Sequence, residues 1–285
     1  MLKQRVITAF VLLLILLPAL LSDSPAPFNA IALVLIAAAV WEWCRLNGYG
    51  QVVSLVAGLV SVVAGGVTWW LGMLEQSQSQ SLFVLWTFAG AAWVLAGAWV
   101  LRSGVPAWSG HPRAVRLVAG LVALWLAWLA VAQARVIGIN FLLSILVLVW
   151  VADIFAYFAG KAFGGRFSRS KLAPGISPGK SWEGVWGAMA GVVTLAFVWR
   201  WADAAWGITV PSLYTHLGRQ GGWLLLIALV FMVTMSVVGD LFESLVKRSA
   251  GVKDSSGLLP GHGGVLDRVD ALLPTLPLAM MLYSV

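Results

Sequence analysis

The chain has 285 residues, of which 61% are hydrophobic and only 10% are charged, and 17 of them are tryptophans. An ordinary soluble domain carries roughly 25% charged residues, so this composition excludes a water-soluble globular protein and a polar disordered chain. Cys44 is the single cysteine, which excludes an intramolecular disulfide scaffold and argues against redox chemistry.

Apolar runs follow one another along the chain, each close to the ~20 residues that cross a ~30 Å hydrocarbon core as a helix. The runs are continuous, without the alternation of a β-barrel, so each span must satisfy its own backbone as a helix. The sequence therefore predicts an all-α, polytopic integral membrane protein with about nine transmembrane helices. The predicted spans are Val6 to Leu21, Phe28 to Trp43, Val52 to Leu74, Leu82 to Leu101, Val115 to Ala132, Val136 to Phe158, Trp182 to Trp199, Gly222 to Val238, and a weaker segment with two prolines from Ala271 to the C-terminus.

The distribution of Lys and Arg predicts the orientation, because cytoplasmic loops hold an excess of positive charge. With a cytoplasmic N-terminus and alternating spans, only Arg135, Arg200 and Arg219 of the 18 basic residues fall outside. Topology thus accounts for much of the net charge of +7, and no basic amphipathic helix or aromatic RNA-binding motif indicates nucleic acid. The first run is interpreted as a retained span, since removing it as a signal peptide would leave the next span without an inside anchor.

We expect one membrane domain over residues 1–285, with N-terminal helices over 1–135 and catalytic helices over 136–285. Two loops on the predicted cytoplasmic side, residues 159–182 and 239–270, hold nine of the 18 basic and five of the 11 acidic residues. A simple linker does not need this concentration of charge, so both loops are candidate functional regions.

The second loop begins with Asp240, Glu243, Ser244 and Lys247, which share one face if the eighth span continues as a helix past Gly239. The alternative is a helix end that emerges into water with an ordinary polar face.

Further along, Asp267 and Asp270 are three residues apart with Arg268 between them. Carboxylates at this spacing can share Mg²⁺, which binds oxygen ligands and is completed by waters and substrate phosphates. They could instead be acids at a helix start that interact with the helix dipole and with Arg268.

Glycines surround His262 in the segment LLPGHGG. Gly261, Gly263 and Gly264 would let backbone amides approach an anion, and His262 is a candidate phosphate donor. A purely structural histidine in a turn is the alternative.

The first loop is basic and rich in glycine and serine, a composition that suits a polyphosphate. Ser177 to Ser181 could present amides at the start of the seventh helix, although the segment is not a Walker A motif. The alternative is a basic anchor that contacts lipid headgroups. The basic residues of this loop are Lys161, Arg166, Arg169, Lys171 and Lys180.

Glu42 is an acid within the second predicted span. Intramembrane acids are commonly functional, so it could line the site, but a salt bridge with Arg45 three residues later is equally compatible with the sequence.

The run Ser244-Leu245-Val246-Lys247-Arg248, then Lys253-Asp254 and LLPGHGGVLDRVD, resembles the signature of the phosphatidate cytidylyltransferase family, also called CDP-diglyceride synthases. The pattern S-x-x-K-R-x4-K-D followed by P-x-H-G-G-x-x-D-R-x-D is matched throughout. Residues 160–174 and 177–184 are similar to further family elements, and the likeness in size and span count covers the whole chain.

The resemblance implies that CTP and phosphatidate react to CDP-diacylglycerol and pyrophosphate with Mg²⁺. It also implies that Asp240, Asp267 and Asp270 build the metal centre, with a second, monovalent cation such as K⁺ and a homodimer as further candidates. The enzyme would lie among membrane lipids in a bacterial-type inner membrane, with its active site facing the cytoplasm.

The resemblance then suggests a role for each motif residue in bringing together CTP and phosphatidate, which are both negatively charged. Lys247, Arg248 and Arg268 would neutralise phosphates, Ser244 would orient one of them, and Asp254 would be an auxiliary acid. His262 would donate to phosphate, with Gly263 and Gly264 beside it. Which loop takes which substrate is open at this point, and the residues expected to bind nucleotide or headgroup are Lys161, Lys171, Ser177 and Lys180.

Three other functions fit the sequence less well. A CDP-alcohol phosphatidyltransferase would carry a DGxxAR pattern followed by spaced aspartates, which is absent. A transporter would need polar residues near the middle of several spans, where Glu42 and Asp153 are nearly the whole set. A scaffold would have no reason to concentrate carboxylates and glycines at one membrane face.

Overall fold

The computed structural model describes residues 2–76, 79–168 and 170–284. Arg169, one of the basic residues of the first loop, lies outside the described residues. The described chain forms helices and no β-strand. The helices are α1 Leu2–Leu21, α2 Ala26–Leu46, α3 Gln51–Trp70, α4 Gln80–Gly110, α5 Arg113–Ile137, α6 Ile139–Phe163, α7 Trp182–Ala205, α8 Leu213–Gln220, α9 Gly222–Ser249, α10 Leu266–Val269 and α11 Leu272–Tyr283.

Eight of the described helices, α1 to α7 and α9, are long and apolar enough to cross a membrane. This confirms the predicted all-α, polytopic membrane architecture. The ninth predicted span is α11, which has 12 residues and contains Pro277. At ~1.5 Å per residue it is too short to cross a ~30 Å core by itself. The weak ninth segment is therefore a short helix and not a full transmembrane span.

Helix α11 lies inside the bundle, where it packs against α4, α5 and α9. At its beginning, Gly239 of α9 allows a close approach, because a Cβ there would lie 2.5 Å from the carbonyl oxygen of Asp270. At its end, the ring of Tyr283 lies 4.9 Å from that of Phe141, which is near the start of α6. The segment α10 to α11 therefore runs from one end of the bundle towards the other.

We call these the site end and the opposite end. The site end contains the C-terminal ends of α2, α6 and α9, the start of α7 and both predicted loops. The opposite end contains the C-terminal end of α7 and the short helix α8, where Ser212 donates to Asp203. Arg5 near the start of α1 donates to Gly261 at the site end, and Arg135 near the end of α5 donates to Ser22 at the opposite end.

Two helices extend beyond their predicted spans towards the site end. Helix α9 continues past Gly239 to Ser249, as the spacing of its polar residues predicts, and α6 continues to Phe163. Helix α4 runs to Gly110 but is interrupted at Gly104, whose φ of 77° is left-handed, two residues before Pro106. The polar ends of α6 and α9 thus project past the apolar spans and carry the first side chains of the site.

Candidate active site

A cavity of about 380 Å³ lies at the site end between α6, α7 and α9. We call it the polar cavity because charged side chains line it, although apolar residues form much of its wall. Asp153 and Lys161 reach it from α6, and Asp240 reaches it from α9. The segment before α7 adds Lys180 and Ser181. The cavity therefore brings together cations from the first loop and carboxylates from two helices.

The structure joins the two predicted loops directly. Lys180 of the first loop forms an ion pair with Asp240 of α9. On the other side of the first loop, Arg248 Nε donates to the carbonyl oxygen of Ile176 at 3.5 Å. The first loop is thus fastened to α9 at two points, and it forms one wall of the polar cavity.

The first loop is shaped by its own hydrogen bonds. The Ser181 side chain caps α7 by accepting from the Gly184 amide at 3.2 Å, as expected of a serine at this position. Lys171 Nζ donates to the carbonyl oxygen of Pro178 at 2.7 Å, and the Ser177 amide donates to Ala173 at 2.9 Å. Of the four predicted substrate residues in this loop, Lys161 and Lys180 line the polar cavity, while Lys171 and Ser177 are engaged within the loop.

Glu42 of α2 holds the second loop in place. Its carboxylate is completely buried and accepts hydrogen bonds from the amides of Val265 at 3.0 Å and Leu266 at 2.7 Å. The hydroxyls of Ser255 and Ser256 donate to the same carboxylate. The alternative of a salt bridge with Arg45 is wrong, because the Arg45 guanidinium lies 4.9 Å from the ring of Trp41 instead.

Asp267 is bonded in a similar way. Its Oδ2 accepts from the Ser255 amide and hydroxyl, both at 2.9 Å, and from the Gly264 amide at 2.7 Å, while Lys247 Nζ lies 2.6 Å from Oδ1. Burial alone would raise the pKa of Asp267, but these hydrogen bonds outweigh it and lower the pKa to about 2. The carboxylate is therefore ionised and already satisfied by protein donors.

Gly264 stands between these two carboxylates. A Cβ at this position would lie 2.0 Å from the Ser255 hydroxyl and 2.3 Å from Glu42 Oε1, so only glycine fits. Its amide, predicted to face an anionic substrate, donates to Asp267 instead. In this structure the glycine at position 264 thus lets the second loop pack closely against α2.

Lys247 lies between two acids. It forms ion pairs with Glu243 on its own helix and with Asp267, and Glu243 is buried. Ser244 Oγ donates to Asp240 Oδ1 at 3.3 Å, so the predicted polar face of α9 is present as two side-chain pairs, each with a spacing of four residues.

A second group of carboxylates is less fully bonded. Asp240 meets Lys180 and Ser244, and Asp270 accepts from the neighbouring Ala271 amide at 2.7 Å. Asp153 accepts no hydrogen bond from any residue that the structure describes. Burial and the nearby charge of Asp240 raise the pKa of Asp270. We call Asp153, Asp240 and Asp270 the open carboxylates.

The metal assignment to Asp240, Asp267 and Asp270 stays a prediction. Within residues 2–76, 79–168 and 170–284, no three His, Cys, Asp or Glu side chains lie close enough together to hold an ion as placed. Asp240 and Asp270 are near each other, whereas Asp267 is held by Lys247, Ser255 and Gly264.

The remaining predicted residues lie around the second loop. Arg268 and Asp254 are exposed, and Arg268 lies close enough to Asp153 for their charges to interact. The Nδ1 atom of His262 is buried and has no hydrogen-bond partner in the described part of the chain. The carbonyl of Gly263 accepts from the Leu259 amide at 2.8 Å, which closes the turn.

Several residues of the site were not predicted from the sequence. Ser255 and Ser256 connect Glu42 to the second loop, and Glu183 holds the first loop by accepting from the amides of Phe167 at 3.1 Å and Ser168 at 2.8 Å. The serines carry no signal of their own in the sequence. Glu183 does carry one, because an acid in the first turn of a helix commonly interacts with free backbone amides.

Comparison with known proteins agrees with this architecture. A model described as the cytidylyltransferase family matches residues 3–285. The chain belongs to this family. It is therefore a nucleotidyltransferase, as the resemblance of its loops predicts.

Three similar members of the family are each named phosphatidate cytidylyltransferase. The protein from Pseudomonas aeruginosa is 40% identical over 289 residues, which cover 100% of this chain and 98% of that protein. The protein from Haemophilus influenzae is 37% identical over 302 residues and covers 99% of both chains. The protein from Brucella melitensis is 35% identical over 283 residues, which are 99% of this chain and 92% of that protein.

Proposed function

We propose that this enzyme transfers the cytidylyl group of CTP to phosphatidate, giving CDP-diacylglycerol and pyrophosphate for phospholipid synthesis. Its family membership and the names of its relatives support this substrate pair. The observation that carries the proposal is the Lys180 to Asp240 ion pair, because it assembles a polar cavity from two loops of opposite charge.

The bond changes are those of a nucleotidyl transfer. An oxygen of the phosphatidate phosphate bonds to the α-phosphorus of CTP, and the bond from that phosphorus to the β-phosphate oxygen breaks. Pyrophosphate leaves with the electron pair. Because the attacking phosphate is already ionised, no side chain has to remove a proton, and catalysis consists of positioning and charge stabilisation.

The residues of the polar cavity suit this task. Lys161 and Lys180 would neutralise phosphates of the nucleotide, and Ser181 lies beside them at the start of α7. Arg268 is exposed on the far side of Asp153, where it can meet the phosphate of the lipid. The two polyanions would then approach each other between cations from both loops.

Mg²⁺ is part of the proposal, and the open carboxylates fit it. Magnesium commonly binds one or two carboxylates together with waters and substrate phosphates. Asp240 and Asp270 provide two such ligands whose mutual repulsion a cation would relieve. A third ligand from Asp267 would require Lys247 or Ser255 to release one of its oxygens. When bound, the ion would stabilise charge on the phosphates and on the departing pyrophosphate.

The family resemblance also suggests a second, monovalent cation such as K⁺ at the site and a homodimer, and both are part of the proposal. The protein would lie in a bacterial inner membrane with the site end facing the cytoplasm, where CTP is found. All three basic residues predicted outside support this orientation, because Arg135 and Arg200 lie at the opposite end against Ser22 and Gly218, and Arg219 belongs to α8 at the same end.

The test is a reconstitution with the purified, detergent-solubilised chain. We expect release of pyrophosphate and formation of CDP-diacylglycerol only when CTP, phosphatidate and Mg²⁺ are all present, with EDTA abolishing both. Replacing CTP by ATP or phosphatidate by diacylglycerol serves as the control. Pyrophosphate release without phosphatidate, or no lipid product with the complete mixture, would refute the proposal. The mass of the solubilised protein tests the homodimer.

A further inference from the structure

A second cavity, of about 430 Å³, lies beside the polar cavity and shares Asp153 with it. Leu12 and Leu16 of α1 form its outer wall, and Ile36 of α2 and Leu146 of α6 form part of its interior. We call this space the apolar cavity. It adjoins the candidate active site at Asp153, which lines both spaces.

Charged side chains line only one end of the apolar cavity. Asp153, Asp267, Arg268 and Asp270 line its site end. From there its apolar walls follow α2 from Ile36 down to Phe28, a distance of ~12 Å at ~1.5 Å per residue. A charged head and an apolar tail match this arrangement, whereas a free nucleotide would leave the apolar walls uncovered.

Helix α1 covers this cavity, and hydrogen bonds hold it near its two ends. At the site end Arg5 Nε donates to Gly261 and Thr8 Oγ1 donates to Pro260, both at 2.9 Å. At the opposite end Arg135 donates to the carbonyl oxygen of Ser22. Between these contacts α1 packs chiefly against α2 and leaves the space behind Leu12 and Leu16 unfilled.

A third cavity, of about 310 Å³, offers a useful contrast. It lies between α4 and α5, and its lining includes Ala96, Trp93 and Phe242. Its walls are formed by apolar residues and glycines. It has no charged end to meet a phosphate, so size and hydrophobicity alone do not distinguish a lipid site among these cavities.

We propose that the apolar cavity binds an acyl chain of the lipid substrate, with its phosphate at Arg268. This inference rests on the proposed function and deepens it by assigning the substrates. The lipid takes the side of Asp153 that faces α1, and the nucleotide takes the polar cavity with Lys161 and Lys180. The two reacting phosphates meet at the open carboxylates.

The test is the substitution Leu16→Trp, in which the larger indole side chain fills part of the apolar cavity from its outer wall. We expect kcat/KM to fall about tenfold for a phosphatidate with long acyl chains, and the KM for CTP to stay unchanged. Activity with a short-chain, dihexanoyl phosphatidate should change less than about twofold, because its chains do not reach the filled region. The matched control is Leu13→Trp on the same helix, whose wild-type side chain is 55% exposed and faces away from the bundle.

Ala96→Trp, which fills the cavity between α4 and α5, tests the competing location. A chain-length-dependent loss in Ala96→Trp but not in Leu16→Trp overturns the proposal, as does an equal loss for both chain lengths in Leu16→Trp. If wild-type protein fails to use any phosphatidate, the proposed function fails instead, so the two failures are distinguishable.

A second measurement needs no variant. Long-chain phosphatidate with a photoactivatable group midway along one acyl chain is irradiated with the wild-type protein. We expect labelled peptides from α1 around Leu12 and Leu16 and from α6 around Leu146, with competition by unlabelled long-chain phosphatidate. Labelling confined to α4 and α5, or labelling without competition, contradicts the assignment.

Discussion

Carboxylates lie at both ends of the bundle, but the two sets differ in burial and in the hydrogen bonds that they accept. At the opposite end, Asp203 is 6% exposed and accepts from the side chains of Asn140 at 3.0 Å and of Ser212 and Thr215, each at 2.6 Å. All of these donors are neutral. Asp203 therefore ties α6, α7 and α8 together and has little capacity left for a ligand.

At the site end the open carboxylates are bonded far less completely. Asp240 relies on Lys180 and on a 3.3 Å hydrogen bond from Ser244, and Asp270 accepts from its neighbour Ala271. Their negative charges lie close enough together to raise the pKa of Asp270. Asp240 and Asp270 are half-buried and Asp153 is exposed, so these carboxylates are accessible to a ligand. Accessible carboxylates with crowded negative charge are expected where a cation acts during the reaction.

Glu42 and Asp267 belong to the site end but are bonded in the manner of Asp203. Backbone amides and serine hydroxyls of the second loop satisfy both of them. The comparison distinguishes carboxylates whose hydrogen bonds hold the site together from the open carboxylates, which have few protein donors. Substitutions can test this distinction.

The largest expected effect is that of Asp240→Asn. Removing this charge should lower kcat by at least about a hundredfold, because the proposed Mg²⁺ loses a carboxylate ligand and Lys180 loses its ion-pair partner. The thermal unfolding midpoint should change little, since the wild-type carboxylate has few hydrogen bonds to lose. Asp270→Asn should behave in the same way. Mg²⁺-dependent product formation and unfolding in detergent are the two measurements.

Asp203→Asn is the matched control, because it makes the same chemical change at the opposite end. It should lower the unfolding midpoint and leave the activity per folded molecule at the wild-type level. Full activity in Asp240→Asn, or a selective loss of activity in Asp203→Asn, would show that the two ends do not differ as described.

Glu42→Gln should have an intermediate effect on both properties. The amide nitrogen would face the N–H groups of Val265 or Leu266, so at least one buried donor loses its acceptor, at a cost of about 1–3 kcal/mol. The unfolding midpoint and kcat/KM for both substrates should fall together. Glu75→Gln, at an exposed glutamate, is the control for the substitution itself. Wild-type stability in Glu42→Gln would remove Glu42 from the residues that build the site.

The sequence predicted the parts of the molecule that depend on local pattern. Apolar length located the eight long helices, and the spacing from Asp240 to Lys247 predicted the polar face of α9. The concentration of charge selected two loops as candidate functional regions, and the Lys180 to Asp240 ion pair joins them.

Partners far apart in the sequence were beyond such reasoning. Glu42 contacts Ser255 and Ser256, which are more than 200 positions away, whereas Arg45 is close enough in sequence to suggest a local ion pair. The bonding of Asp267 also depends on how the second loop folds back on itself, which its spacing does not reveal. The tertiary contacts are therefore needed to distinguish the carboxylates that protein donors satisfy from those that remain open to a ligand.

The smallest expected effect is a pH dependence at the opposite end. His216 of α8 is half-buried, and its ring lies 4.9 Å from that of Tyr283. Burial lowers the pKa of His216 below 6.5 and the charge of Arg219 acts in the same direction, while a hydrogen bond to the backbone of Tyr283 opposes them. Because the folded protein favours the neutral ring, this contribution to stability is complete above pH 6.5 and is lost as the pH falls through the lowered pKa.

The test compares unfolding midpoints of wild type and His216→Phe on either side of this range. The phenyl ring keeps the contact with Tyr283 and cannot titrate, so the variant should lose part of the acid-induced decrease. His111→Phe, near Trp99 and away from α8, should retain the wild-type pH profile. Activity at saturating substrate should be equal in all three proteins at neutral pH. An identical acid response in wild type and His216→Phe would place the titrating groups elsewhere, and a selective loss of activity in His216→Phe would mean that the opposite end takes part in the chemistry.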